Sequence, residues 1–301
     1  MVFYPIKKAI YALRDLPRFF RRTPRPKVIM TLLVKNEEDL LERNLLFHHA
    51  MGVDGFIITD NNSSDSTPDI IRRYEEKGWV VESIKETATG YEQKRWVDRM
   101  VWSAKTRHKA DWIINADADE FWYAPGGLKS VFSATRANVL RCLSQNMWPD
   151  ESKPMTEWTR FARPIDAPNQ YGLSPHSIFG RATYKVAHRA AGYLQISMGN
   201  HKVTMLPSRQ SDCDITIFHF GVRGREQFLT KMRQGGRELQ THKGRHGGRH
   251  WRYFYNIDKA GKLSEEYDNV TGTAQFARLE ADGHIGTDTR LSVFLKEKGI
   301  S

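Results

Sequence analysis

Between Val28 and Ala116 the chain repeats one pattern of apolar and polar positions. A short continuous apolar run ends in a polar break, and apolar residues then recur three and four apart. Val28–Val34 is such a run and predicts a buried strand. Asn36, with Asp39 three residues on, predicts the cap of a helix that carries Leu41, Leu45 and His48 and ends near Gly52. Phe56–Asp60 predicts a second strand. Thr67-Pro68 predicts the start of a helix through Ile70, Ile71 and Tyr74, which Gly78 stops. Trp79–Ile84 predicts a third strand, and Glu92–Lys109 a helix with Trp96, Met100 and Ala104 four apart. Trp112–Asn115 predicts a fourth strand that runs into Ala116-Asp-Ala-Asp-Glu120. This alternation predicts an α/β fold with a mostly parallel central sheet flanked by helices. Ligands of such sheets sit at the carboxyl ends of the strands. Lys35–Glu37, Asp60–Asp65 and Asp117–Glu120 therefore form one candidate surface.

The pattern loosens after Pro125-Gly126-Gly127. Five prolines between Pro149 and Pro175 predict an irregular segment, Ile215–Phe220 a strand, and the stretch from about Glu226 to Met232 a helix. Arg233–Arg252 is dense in Gly, Arg and His and reads as a mobile loop or lid. Residues 1–26 read as a separate basic amphipathic arm. In it Phe3, Tyr4, Ile6, Ile10, Leu13, Leu16, Phe19 and Phe20 alternate with basic residues and Pro17 shortens the helix. Such an arm either lies on an anionic membrane surface or packs on the domain with its basic face in water. The expected organisation is thus an arm over 1–26, an α/β domain over 27–235 and a basic C-terminal extension over 236–301.

Composition narrows the classes. The chain has 301 residues, a formal net charge of +11 and a 40% hydrophobic share, which excludes a disordered chain. No fibrous repeat is present. Two cysteines, Cys142 and Cys213, exclude a disulfide scaffold and a cysteine-rich zinc module, and fit a reducing compartment. No stretch reaches the ~18 apolar residues of a spanning helix. Lys7, Lys8, Arg14 and Arg18 interrupt any signal-peptide core. A cytoplasmic setting is expected, with peripheral membrane contact through residues 1–26 left open. The charge excess leaves nucleic acid, anionic lipid and a phosphorylated substrate open as partners.

The strongest chemical signal is Asp117-Ala118-Asp119, since two carboxylates one residue apart after an apolar strand can share a divalent cation. Hard cations such as Mg2+ and Mn2+ prefer carboxylate oxygens and also bind diphosphate. The second signal is Asp60-Asn-Asn-Ser-Ser-Asp-Ser-Thr67, either a polar loop with a helix cap or a set of hydrogen-bonding groups for a base and ribose.

Taken together, Val28–Glu37, Asp60–Thr67 and Trp112–Glu120 resemble the family 2 type of glycosyltransferase with the GT-A fold, in a variant related to family 92 enzymes. Asp60, Ser63, Asp65 and Thr67 keep their places in that family's Asp-Asp-Gly-Ser-Thr-Asp-Gly-Thr loop. Ile217–Phe228 resembles its later His-aromatic…Arg…Gln-Phe block. The resemblance implies transfer of a sugar, with inversion, from a nucleotide donor (UDP-sugar favoured) to a hydroxyl acceptor, in surface glycan assembly, with Mn2+ or Mg2+. It implies that Asp60 contacts the nucleoside and that Lys35, Asn36 and Glu37 line the base pocket. Gln93 and Lys94 would face the donor. Asp117 would sit near ribose and metal, Asp119 would be the chief metal ligand and catalytic carboxylate, and His219 would complete the metal site. Arg223 and Arg225 would hold the diphosphate, with Lys231 and Arg233 weaker candidates for the same task. An inverting transferase also needs a carboxylate base near the acceptor. Glu151, Glu157 and Asp166 are available, and Glu157 is preferred because Trp158 beside it could stack on a sugar. His201 is another acceptor-side candidate. A catalytically degenerate nucleotide- or glycan-binding member is the alternative. So is a basic nucleic-acid-binding protein, although no nucleic-acid motif is present and nucleic acid is not the expected partner.

Overall fold

The computed structural model describes residues 3–19, 23–87, 92–240 and 249–301. In chain order the elements run α1 (Phe3–Arg14), α2 (Leu16–Phe19), β1 (Val28–Val34), α3 (Leu41–Ala50), β2 (Gly55–Asp60), α4 (Thr67–Glu76), β3 (Val80–Lys85) and α5 (Gln93–Thr106). They continue with β4 (Trp112–Ala116), β5 (Glu120–Tyr123), α6 (Leu128–Ala134), β6 (Val139–Met147), β7 (Arg160–Ala162), β8 (Thr183–Arg189), β9 (Tyr193–Ile196), β10 (Val203–Met205) and β11 (Gln210–His219). The last are α7 (Arg225–Gln240), α8 (Arg249–Lys259), α9 (Leu263–Thr271), α10 (Thr273–Ala281), β12 (Ile285–Thr287) and α11 (Arg290–Glu297).

The chain divides into two compact units. The first draws on Met1–Thr87, Glu92–Leu143 and Tyr184–Ile217. Its sheet follows the order β6-β8-β4-β1-β2-β3, and the four strands from β4 to β3 are parallel. Strand β8 joins β4 antiparallel, and β11 pairs with β5 and β6. The fold expected from the pattern, an α/β fold with a mostly parallel core, is the fold observed. Strand β1 is buried along almost its whole length, as a central parallel strand covered on both faces must be. Ile29, Ile57 and Ile113 from three neighbouring strands pack against Val97, Met100, Val101 and Ala104 of α5. Full burial of each such isoleucine contributes on the order of 1.5–3 kcal/mol relative to exposure.

The second unit draws on Ser144–Thr183 and Phe218–Ser301. Strand β7 pairs antiparallel with the end of β6 and with β12. Gly286 of β12 faces the Phe161 ring, where a Cβ has no room. Val222, Phe228, Leu229, Met232, Phe254, Leu263 and Tyr267 form one core cluster under α7, α8 and α9.

Three local expectations change. Asn36 does not cap a helix: it lies in the left-handed region at φ 53°, and α3 begins only after Leu40. Glu120–Tyr123, read only as residues following the acidic pair, is a strand. The loop expected over Arg233–Arg252 is helical at both ends, because α7 continues to Gln240 and α8 starts at Arg249. Gly235 and Gly236, which look like loop residues in sequence, leave the space that Trp251 and Tyr255 of α8 occupy. Residues 241–248 of the expected loop or lid lie outside the described residues.

Candidate functional site

The parallel strands end level with one another. Val34 is in register with Asp60, and Leu32 with Ala116. The segments that follow β1, β2 and β4 therefore emerge side by side at one edge of the sheet, with β1 in the middle. This brings Lys35–Glu37, Asp60–Thr67 and Asp117–Glu120 to one surface.

The first two segments bind each other. The Asn36 amide donates to Ser63 Oγ at 2.9 Å and the Ser64 amide to Asn36 Oδ1 at 2.8 Å. The Glu37 amide donates to Thr67 Oγ1 at 2.9 Å, the Glu38 amide to Asp65 Oδ2 at 3.1 Å and the Ser66 amide to Glu38 Oε2 at 2.9 Å. Ser63 Oγ donates to Asp60 Oδ1 at 2.6 Å. Asn36 and Asn62 both take positive φ, a conformation that asparagine tolerates better than most residues. Ser63, Asp65 and Thr67 thus act as ties between two loops. Asp60 is 6% exposed at the end of β2, while Lys35, Asn36 and Glu37 are half-buried above it.

The acidic turn is held by buried groups from distant elements. Asn44 and His48 lie one helical turn apart on α3. Asn44 Nδ2 donates to the carbonyls of Ala118 and Glu120, each at 2.9 Å. His48 Nε2 accepts from the Trp122 amide at 3.0 Å, and its Nδ1 donates to the Asn44 carbonyl at 2.8 Å. Burial lowers the His48 pKa to about 3, so the ring is neutral, as an acceptor must be. Beneath the strand, Thr31 Oγ1 donates to Asn115 Oδ1 at 2.6 Å, and Asn115 Nδ2 donates to His188 Nε2 at 3.3 Å. His188 is also neutral, its pKa lowered by burial to about 4.

Lys185, from β8, closes the turn from another side. Its Nζ lies 2.6 Å from Asp117 Oδ2 and pairs with Glu120 Oε1. Burial alone would lower its pKa, but the two carboxylates hold it above its ordinary value. Glu120 is 1% exposed and also accepts from the Asp117 amide and Trp122 Nε1. Glu120 therefore supports the turn. Asp119 is 3% exposed, and the Asp117 side chain is 40% exposed.

Among the described residues no group of three or more His, Cys, Asp or Glu side chains forms a metal cluster. The residues of the turn nonetheless suit a divalent cation chemically. Asp117 and Asp119 offer hard carboxylate oxygens. Lys185 pairs with two of the turn's carboxylates, Asp117 and Glu120.

The remaining expected residues are placed as follows. Gln93 is the first residue of α5 and half-buried. Lys94 beside it is exposed, and its charge reaches Lys8 of α1. In the second unit, His219 ends β11 with Nδ1 2.8 Å from Asn146 Oδ1. The Arg223 amide donates to Gln227 Oε1 at 3.0 Å. Arg225 is engaged by Asp268 and by Ser264 Oγ at 2.5 Å, and Arg233 by Asp258 at 2.8 Å, so both are structural pairs here. Glu157 is exposed in a short helical turn, Met155–Glu157. The reason for preferring it is removed. Trp158 is 4% exposed, donates to the Lys153 carbonyl at 3.1 Å and packs against Phe220, so it cannot stack on a sugar. Glu151 accepts from Tyr267 and lies against Gly224, and Asp166 is exposed. In the first unit, His201 Nδ1 is 2.8 Å from the Tyr184 carbonyl oxygen.

Sequence reasoning missed Asn44, Lys185 and His188, and took His48 for one position of an apolar helix face. An asparagine and a histidine spaced four apart on a helix predicted to be amphipathic were the available signal. For Lys185 no local signal exists.

No family model matches the chain, and no curated protein sequence matches it. Among solved structures it is similar to the mannosyltransferase PcManGT from Pyrobaculum calidifontis in complex with GDP-Man and Mn2+. That pair shares 15% identity over 97% of this chain and 87% of the other, with a TM-score of 0.44. It is also similar to residues 1–349 of S. aureus TarS in complex with UDP, at 16% identity over 80% and 71% of the two chains and a TM-score of 0.40. A third is glucosyl-3-phosphoglycerate synthase from Mycobacterium tuberculosis with Mn2+, UDP and glucosyl-3-phosphoglycerate. There the identity is 15% over 55% and 57%, with a TM-score of 0.31. These values describe a likeness in the course of the backbone.

Proposed function

We propose that the chain is a metal-dependent glycosyltransferase of the GT-A, family 2-like kind, moving a sugar with inversion from a nucleoside diphosphate donor to a hydroxyl acceptor. A UDP-sugar is the favoured donor and surface glycan assembly the favoured setting. The observation that carries this reading is the register of β2, β1 and β4, which sets Asp60, Lys35–Glu37 and the Asp117–Asp119 pair side by side at one sheet edge. A cytoplasmic setting belongs to the same proposal.

In this reading Asp60 and the Lys35–Glu37 turn hold the nucleoside, and Gln93 and Lys94 approach the donor from α5. Asp117 and Asp119 would hold Mn2+ or Mg2+. His219 is the third candidate ligand of this proposal. A cation held there would supply positive charge against a departing diphosphate. Arg223 is a further phosphate contact. The acceptor proton would pass to a carboxylate of the 151–166 segment, Glu151, Glu157 or Asp166.

The test is thermal denaturation of the full chain with UDP or GDP, with and without Mn2+. A ligand at a hundredfold excess over its Kd stabilises the folded state by about 2.7 kcal/mol. A rise in Tm that needs nucleotide and metal together, and that disappears in Asp119→Asn, is the expected result. No rise, or a rise that survives the substitution, removes the metal-bound donor from the proposal.

A further inference from the structure

Helix α1 is mounted with its charged side inward. Lys8, with a side chain 7% exposed, pairs with Asp98, lying 2.6 Å from Oδ2, and its ammonium sits 5.0 Å from the Tyr193 ring centre. Tyr193 donates its hydroxyl to the same carboxylate at 2.6 Å. Asp15, at the end of the helix, meets Lys105 Nζ at 2.6 Å and accepts from the Gly192 amide. Ala12 between them is fully buried, and Tyr11 sets its ring edge-on to Trp102.

The outward side carries what a surface helix usually hides. Ile6, Ile10 and Leu13 are 53%, 51% and 54% exposed and form one row at helical spacing, continued by Leu16 at 37%. The helix cannot turn to bury this row, because rotation would strand Lys8, Asp98, Asp15 and Lys105 as unpaired, desolvated charges. Lys7 and Arg14, seven residues apart, are exposed along one flank of the row, and Arg18 follows on α2, its exposed guanidinium 3.8 Å from the inward-pointing Asp15. The one acidic residue between Phe3 and Phe19 is Asp15, which points inward. The outer face thus combines an apolar row with positive charge alone.

We infer that this face is a docking surface for an anionic lipid bilayer, on which α1 lies in the plane of the headgroups with Ile6, Ile10 and Leu13 inserted and Lys7, Arg14 and Arg18 on the phosphates. Lipid fits better than a protein partner because a purely basic rim complements a uniformly anionic surface. Apolar insertion and basic attraction are also the two signals that reversible attachment needs. Among the described residues no helix is long and apolar enough to cross a membrane, so the contact is peripheral. The inference does not depend on the proposed enzymatic activity.

The experiment is co-sedimentation of the full chain, without nucleotide or metal, with phosphatidylcholine vesicles containing or lacking phosphatidylglycerol. Sedimentation velocity runs alongside it. Wild type binds the anionic vesicles and releases them in high salt. The triple variant Ile6→Ser, Ile10→Ser, Leu13→Ser and the double variant Lys7→Glu, Arg14→Glu each bind at least about tenfold more weakly. Both alter exposed positions, so their Tm values match that of wild type. Failure of wild type to bind anionic vesicles overturns the inference, as does undiminished binding by the triple variant. A wild-type dimer that the triple variant dissociates, without vesicle binding, would instead assign the row to self-association and also overturn it.

Discussion

The acidic turn after β4 and the polar loop after β2 stand at the same edge of one sheet, yet opposite means hold them. The loop is tied at short range, by hydroxyls and carboxylates of Asp60–Thr67 bonded to one another and to the Asn36–Glu38 turn, and most of these groups are half-buried or exposed. The turn is held at long range, by buried side chains of α3 and β8. Charge accounts for the difference. A loop of hydroxyls and amides satisfies itself, whereas three carboxylates within four residues repel one another and need a cation and fixed backbone contacts to stay together. The turn is therefore the costly part of the site, and the loop the inexpensive part.

The largest effect expected from this contrast is at Lys185. Replacing it with Met strands Glu120, a buried carboxylate, and should cost about 3–5 kcal/mol in urea denaturation. Adding Glu120→Gln to that variant should restore a large part of the loss. A double variant no more stable than the single one would show that Lys185 contributes packing and not charge.

Acid should separate the two regions next. His48 and His188 stay neutral in the fold, with pKa values near 3 and 4, while the unfolded chain protonates them near 6.5. The unfolded state therefore takes up protons first, and stability falls as pH drops below about 6.5 towards 4. The slope approaches about 1.4 kcal/mol per pH unit for each histidine. In His48→Gln the slope of stability against pH should be shallower by one histidine. An unchanged slope would remove His48 from the acid response.

The smallest effect belongs to the loop. Ser63→Ala removes bonds to Asn36 and Asp60 at a half-buried position, and should cost about 1 kcal/mol. A loss as large as that of Lys185→Met would erase the distinction between the two regions.

Much of the first unit was legible before any coordinates. Continuous apolar runs marked β1, β2 and β4, because a parallel strand buried on both faces needs no alternation. The carboxyl-end rule then placed three polar segments on one surface. Legibility failed where the cause is not local. Asn36 resembles a helix cap until Ser63 and Ser64 are seen to claim it. Gly235 and Gly236 resemble a loop until α8 is packed on them. Trp158 resembles a sugar platform until Phe220 covers it.

The sequence by itself determined the order of strands and helices from β1 to β4, the parallel core, and which strand ends carry acid and amide groups. Periodicity and composition act over a few residues, so they can be read there. Only the tertiary structure decided what steadies those groups and which side of α1 meets water. Lys185 lies 68 residues from Asp117, and Lys8 lies 90 from Asp98. Which buried charge meets which partner follows from how the elements pack, and that is a property of the whole fold.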